Sequence, residues 1–456
     1  MSTTPTAPRE ATDGAPADDG GLRRTVGRKV LLLFVVGDIL GAGIYALTGK
    51  VAAEVGGAIW VPFLVAFSLA TLTAASYVEL VGKYPSAAGA ALYANRAFRR
   101  PFLTFLVAFA VMMSGITSAS AAARAFGGDY LAEFVSVPTV AAAWVFLGLV
   151  TVINLVGISE SVRVNVVLTL VELTGLLVIV AIGVWSVATG EGDVSRAVRL
   201  DGDGGSVLLA VLGGTALAFY ALLGFEDSVN LAEECRDPRR DFPRAVFAGL
   251  AITGVIYLSV AFTSSMLVDT QTLVDSSGPL LEVVKVAGVP FPPALFAVIA
   301  LLAVGNTALI NMIMASRLVY GMAREGIVPR VLGRVHETRR TPWVAIAFTL
   351  AVALTLVSTG DLAGLADTTV LLLLLVFVVV NVSVLVLRRT DPGEGGHFRA
   401  ATWVPVAGAV VSAVLASPLT GRGADVYLRA GLLLAIGVVL YAVNRAVVGR
   451  SVPPSG

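Results

Sequence analysis

The sequence predicts an all-α integral membrane protein with twelve transmembrane helices, arranged as a five-plus-five inverted repeat with helices 1 and 6 broken. Three observations carry this. Of 456 residues, 57% are hydrophobic and 14% charged, whereas a soluble domain carries roughly a quarter charged residues. Mean hydropathy is +0.87, and a soluble chain of this length could not hide so much apolar surface. Twelve stretches are apolar for the length that a ~30 Å hydrocarbon core demands, and the basic residues between them alternate in number from one side to the other.

The same composition excludes a disordered protein, a nucleic-acid binder and a disulfide scaffold. Net charge is +1, from 32 basic and 31 acidic residues, so no acidic partner is implied. The single cysteine, Cys235, can form no intrachain disulfide. With 28 Arg against 4 Lys and mostly Ala, Val and Leu as apolar residues, the chain has the character of a GC-rich bacterial coding sequence, which points to the cytoplasmic (inner) membrane.

The first twenty or so residues are polar, with repeated Pro, Gly and Ala, and cannot bury a core. They read as a disordered cytoplasmic tail (1–28). The apolar region starts too late and runs too long for a secretory signal. Spans 1–5 follow at 30–53, 59–82, 102–123, 139–156 and 164–189, forming a first repeat (29–190). Spans 6–10 at 207–232, 244–267, 291–316, 343–358 and 366–387 form a second (206–388). Spans 11 and 12, at 403–419 and 427–447, occupy 402–448, and a cytoplasmic tail closes the chain (449–456).

Orientation follows from positive charge. Residues near a span end are counted with the loop beside it. With both termini cytoplasmic, 25 basic residues fall inside and 7 outside, which accounts for all 32 and leaves none within a span. Removing one helix would scramble this alternation. Between spans 7 and 8, Gly278–Gly288 (GPLLEVVKVAG) repeats its apolar residues at helical spacing. It predicts a short amphipathic helix, either a lid over a pathway or a helix packed on the bundle.

Span 1 contains Gly37-Asp38-Ile39-Leu40-Gly41-Ala42-Gly43-Ile44-Tyr45. Glycine weakens a helix interior by about 1 kcal/mol relative to Ala, and an intramembrane acid costs ~2.5–3.5 kcal/mol on insertion scales. Such a segment makes sense if the helix unwinds and its freed amides meet an anionic group. Span 6 contains Phe219-Tyr220-Ala221-Leu222-Leu223-Gly224-Phe225-Glu226-Asp227, again a mid-membrane glycine followed by acids. Breaks in spans 1 and 6 are what an inverted repeat places at one midplane site. Taken singly, either segment has a second reading, close packing through small-xxx-small glycines such as Gly37 and Gly41. A dinucleotide loop is excluded, because no strand–helix unit surrounds the glycines.

These motifs resemble the amino acid–polyamine–organocation (APC) superfamily of secondary transporters, nearest its cationic-amino-acid-transporter-like bacterial permeases. Gly41-Ala42-Gly43-Ile44-Tyr45 is similar to the family's G-x-G-I-[FY]. Glu79-Leu80 and Tyr84-Pro85 with Gly89 and Tyr93 look like its segment after span 2. Residues 219–245 (FYALLGFEDSVNLAEECRDPRRDFPRA) and 315–329 (ASRLVYGMAREGIVP) match its exits from spans 6 and 8.

The resemblance implies alternating access by a bundle against a scaffold, with no cofactor. It implies that Ile39, Gly41, Ala42, Gly43 and Ile44 border a substrate carboxylate. It further implies that carbonyls near Phe219, Ala221 and Leu222 receive the α-amine beside Gly224, with Tyr220 as an aromatic gate. Side chains of spans 1, 3, 6 and 8 would set selectivity. In one respect the chain departs from the pattern. Some proton-coupled relatives carry a Lys in span 5, where this chain, after Ser161-Val162-Arg163-Val164-Asn165, has Glu172.

Asp38, Glu172 and Glu226 are intramembrane acids and hence candidate proton or cation sites. Asp38 could instead pair with a cationic substrate. Glu226 could instead bond backbone to hold its break open, and Glu172 could be a neutral hydrogen-bonded residue. If Asp38 and Glu172 approach each other, they could share a proton. Glu79, Glu233 and Glu234 lie near the cytoplasm, where they can pair with Arg-rich loops. Arg236, Arg239, Arg240 and Arg244 set topology and could form an inner gate, and Arg317 and Arg324 could do the same for span 8. Met112 and Met113 in span 3 could line the pocket, with core packing as the other reading. His336 and His397 are too far apart in sequence to argue for a metal. With no nucleophile–base pair, metal cluster or P-loop, an enzyme and an ATP-driven pump are disfavoured. A polyamine or amine exchanger and a non-transporting membrane sensor remain as alternatives to an amino acid transporter.

Overall fold

The computed structural model describes residues 26–86, 89–156, 162–200, 206–339, 341–392 and 395–448, with side chains from 167 onward in the third segment. The tails expected at 1–28 and 449–456 lie outside these residues, apart from 26–28. The loop carrying Ser161 lies outside them too.

All described regular structure is helical. In chain order the α-helices are α1 Arg28–Ile39, α2 Ala42–Val55, α3 Trp60–Lys83, α4 Gly89–Phe98, α5 Pro101–Ala125, α6 Thr139–Val156, α7 Val162–Thr189, α8 Val194–Ala197 and α9 Val207–Ala221. They continue with α10 Pro238–Leu267, α11 Thr270–Asp275, α12 Pro279–Val286, α13 Pro293–Arg324, α14 Trp343–Thr359, α15 Leu362–Thr390, α16 Trp403–Ala416 and α17 Ala424–Val448. A π-turn at Phe126–Tyr130 extends α5, and 3-10 turns occupy Asp227–Glu234, Arg330–Gly333 and Pro418–Thr420.

Among the described residues, nine helical stretches are long and apolar enough to cross a membrane, counting α1–α2 as one. Three more apolar helices are shorter: α9, α14 and α16. With its many apolar helices the chain is a multi-pass membrane protein. Each expected span overlaps one of these helices, but lengths differ. The seventh begins earlier, at Pro238, because the Asp237 carboxylate caps it by accepting from Arg240 N at 3.3 Å. Proline is tolerated in the first turn, where the missing N–H has no helical partner anyway. The sixth is short because α9 stops at Ala221, at its break.

Lys50, counted above with a loop, lies within α2, and its ammonium donates to Val274 O at 2.8 Å. Its stem thus crosses apolar surface while its head finds a carbonyl. The expectation of no base within a span does not hold for the helices. Arg124 in α5, Arg244 in α10, Arg317 and Arg324 in α13, and Arg429 and Arg445 in α17 lie within helices as Lys50 does, because the helices run past the apolar stretches into the flanking charges.

The broken pair lies at the centre. Along α2, Ile44, Tyr45, Leu47 and Val51 are fully buried. α1 packs on α7 and α10, α2 on α9, and α5 on α13 and α15. Glycines set the closest approaches: a Cβ on Gly37 would stand 2.0 Å from Thr169 Oγ1, and one on Gly43 would stand 2.4 Å from Ala221 Cα.

The expected amphipathic helix is α12, and its Leu280, Leu281, Val283 and Val284 are buried. Together with α11 it packs on α2. Backbone contact is so close there that a Cβ on Gly49 would meet Leu273 O at 1.9 Å.

Candidate functional site

Both breaks are short. α1 closes with Leu40 N–H donating to Val36 O at 2.9 Å, Gly41 is extended, and α2 resumes at Ala42. The freed carbonyl of Ile39 accepts from Tyr257 OH at 2.6 Å. Only Gly41 of the three glycines stands in the break; Gly37 and Gly43 serve packing against α7 and α9.

α9 closes with Leu222 N–H on Phe219 O (3.1 Å) and Leu223 N–H on Tyr220 O (3.3 Å). Gly224 follows at φ +124, and a Cβ there would meet Asp38 O at 2.6 Å and Ile39 N at 3.0 Å. The two breaks therefore touch, backbone to backbone. Glu226 folds back and accepts from Gly224 N–H at 2.9 Å. A buried amide left open by the turn is thereby satisfied.

Around this contact lies a cavity. Asp38, Ile39, Gly41, Ala42, Tyr220, Gly224 and Glu226 line it, all of them singled out from sequence. Gly43, Ile44, Phe219, Ala221, Leu222 and Glu172 do not. Ile44 and Leu222 are buried in packing, and the Phe219 ring lies 6.2 Å from that of Phe377. Glu172 sits on α7, fully buried. Its Oε1 accepts from Asn306 Nδ2 at 3.2 Å, while Oε2 has no hydrogen-bond partner among the described residues. Its backbone carbonyl accepts from Tyr45 OH at 2.7 Å.

Sequence reasoning missed Asp227 and two polar pairs that line the same cavity, Ser114 with Ser118 on α5 and Thr307 with Asn311 on α13. Each pair stands four residues apart in an apolar helix, which puts both members on one face, and that spacing could have found them. Met112, open in sequence to pocket lining or core packing, lines the cavity. Among the described residues, three carboxyl groups border the space and no Lys, Arg or His does.

Residues 27–440 match the family model described as amino acid permease. The chain belongs to the amino acid permease family. It is similar to the branched-chain amino acid permease BcaP of Bacillus subtilis, 26% identical over 94% of each chain. It is likewise similar to the methylthioribose transporter of Bacillus subtilis, 25% identical over 94% of this chain and 95% of that protein. A third relative is cationic amino acid transporter 9, chloroplastic, of Arabidopsis thaliana, 28% identical over 70% of this chain. The chain spans 58% of that protein's length. The family and these relatives are transporters, so the chain is a permease and not an enzyme.

Both ends of the permease are tied by side chains. At the end toward which α2 runs, Tyr220 OH and Ser118 Oγ stand 3.0 Å apart across the cavity, and Tyr130 OH donates to Tyr45 O at 2.7 Å. Beyond them, the Asp129 carboxylate accepts from Ser276 Oγ (2.7 Å) and Ser277 N (2.8 Å). These bonds fasten the α11–α12 segment to the end of α5.

At the end where α1 starts, Val26 N donates to Glu234 O (3.0 Å) and Arg236 N to Val26 O (3.1 Å). The entry to α1 is thus pinned to the exit from the α9 break. Between these strands of backbone, burial pushes the Cys235 thiol up to about 12, which disfavours its thiolate. Ser86 Oγ donates to Glu233 at 2.7 Å. Glu79 pairs with Arg388, not with the loop arginines.

At the same end Tyr84 OH donates to Asp391 at 2.5 Å, and Lys83 lies 3.6 Å from it. The tyrosine bond first, then the lysine charge, hold the Asp391 carboxyl below its usual range. A depressed folded pKa contributes stability above the unfolded value, about 3.9, and loses it as pH falls through the folded value. Tyr84→Phe should therefore narrow the Tm difference between pH 6 and pH 3 in a detergent melt. An unchanged difference would remove Asp391 from the acid response.

Proposed function

We propose that this permease is a secondary active amino acid transporter of the cytoplasmic membrane. It works by alternating access through twelve spans in a five-plus-five inverted repeat, with both termini cytoplasmic. The observation that carries the reading is the meeting of two broken helices around an acid-lined cavity, in a chain of the amino acid permease family.

The substrate carboxylate faces the N-terminal end of α2 near Gly41 and Ala42. There, amides without helical acceptors and the helix dipole favour an anion. The α-amine faces the carbonyls at the end of α9 and the acids beside them. Backbone recognises what all amino acids share, and side chains on α5 and α13 select among them. Uptake is proton symport, with Asp38, Glu226 and Glu172 as the proton-bearing groups. Glu226 doubles as the brace of its break.

Three carboxyl groups, with no base among the described residues around the cavity, favour a second reading, uptake or exchange of a polyamine or other amine. Counterflow with labelled lysine, alanine and putrescine separates the two. A thermal-shift panel of the twenty amino acids on purified protein tests the main reading. At least one should raise Tm at millimolar concentration, and none doing so would overturn it.

For the coupling, Asp38→Asn and Glu172→Gln proteins in liposomes should each lose accumulation driven by a pH gradient by about tenfold or more. They should keep substrate exchange. Undiminished accumulation in both would remove proton coupling through these acids.

A further inference from the structure

The first amides of a helix have no acceptor within it. In α2 that group begins at Ala42, where the resemblance sets the substrate carboxylate. Yet the Ala42 N–H is already engaged: it donates to Thr307 Oγ1 at 2.9 Å. The approach is close enough that a Cβ on Gly41 would stand 2.7 Å from that oxygen. Thr307 borders the cavity, half-buried, and lies 265 residues away in sequence. One turn on, Asn311 Nδ2 donates to the Thr307 carbonyl at 2.9 Å.

We propose that Thr307 is a placeholder for the substrate carboxylate. Its hydroxyl oxygen caps α2 while the cavity is empty and gives way when a carboxylate arrives. This rests on the transport reading above and gives Thr307 a selective role within it.

The exchange has a direction. A hydroxyl oxygen is a neutral acceptor, whereas a carboxylate at a helix N-terminus makes a charge-assisted bond and gains from the dipole. The carboxylate therefore displaces the hydroxyl. The released hydroxyl keeps its own helical acceptor, Ala303 O, now at 3.3 Å, in the i−4 bonding that threonine uses in apolar helices. A ligand with an amine and no carboxylate cannot make the exchange, so it leaves Thr307 in place. The placeholder thereby sets a threshold that only an anionic head group crosses, and it keeps a buried amide satisfied in the meantime.

The test compares Thr307→Val, which keeps the shape and removes the oxygen, with Thr307→Ser, which keeps the oxygen. Binding is measured on full-length purified protein by isothermal calorimetry. The ligands are the tightest-binding of the twenty amino acids and the amine left by its decarboxylation (3-methylbutylamine for leucine, agmatine for arginine).

Thr307→Val should tighten the amino acid about three- to tenfold, the scale of one neutral hydrogen bond no longer to be displaced. The amine should be unmoved, and Thr307→Ser should follow the parent. In liposomes KM should fall without a rise in maximal rate. Unchanged or weaker amino acid binding in Thr307→Val overturns the proposal, as does equal tightening of the amine. If Thr307→Val does not fold, Thr307→Ala replaces it under the same criteria. Absence of amino acid binding to the parent protein would instead sink the transport reading itself.

Discussion

Gly224→Ala is expected to abolish transport, lowering uptake in liposomes by at least tenfold, while the protein still reaches the membrane. Two costs combine. At φ +124 an L side chain is strained, which by itself costs about 1–3 kcal/mol. The added methyl would also press on backbone, 2.6 Å from Asp38 O and 3.0 Å from Ile39 N. No side-chain rotation relieves a backbone contact, so the two breaks must separate. The Gly224 amide that Glu226 now holds would move with them. Gly326→Ala is the control: its φ is also positive, at +68, but no described atom lies within 4 Å of its added Cβ. It should cost stability alone and leave KM unchanged. Equal uptake by Gly224→Ala and the parent would mean that contact between the breaks is not needed for transport.

The contrast between these glycines marks how far the sequence could be read. Apolar runs located the helices, because an apolar helix must avoid water whatever it packs against. The breaks were legible too, since glycine and acids together contradict a membrane helix. What each glycine does was not legible. Gly37, Gly41 and Gly43 look alike in a row, yet one meets Thr169, one meets Thr307 and one meets Ala221. Those partners lie more than a hundred residues away and leave no trace in local spacing.

The same holds for the acids. Asp38, Glu172 and Glu226 share a depth in the bilayer by sequence, but depth does not give direction. Asp38 and Glu226 reach the cavity, whereas Glu172 turns to Asn306. The cavity's hydroxyls are ambiguous in sequence, because serine and threonine in apolar helices so often bond to their own backbone. Ser114 does so, and Thr307 does so while also meeting Ala42.

Arg388→Ala is expected to be the most damaging single change away from the cavity, costing about 3–5 kcal/mol, the scale for stranding one partner of a buried ion pair. Arg388 Nε and Nη2 reach the two oxygens of Glu79 at 2.7 and 2.6 Å, with both side chains under 10% exposed. The same groups hold the chain beyond α15: Ala400 N donates to Glu79 at 2.9 Å, and Arg388 Nη2 donates to Ala400 O at 2.6 Å. Removing the guanidinium leaves a buried carboxylate with one backbone donor. It also frees the segment that leads from α15 into α16. Because these contacts join α3 to α15 and not to the breaks, the loss should appear as lower yield and Tm, with KM unchanged in the protein that survives. The double change Glu79→Leu with Arg388→Leu removes both charges at once and should recover part of the loss, since an apolar pair has no stranded charge to desolvate. If Arg388→Ala melted within a degree of the parent, the pair would be an incidental contact. If KM rose while Tm held, this end of α15 would belong to the transport cycle and not to the frame around it.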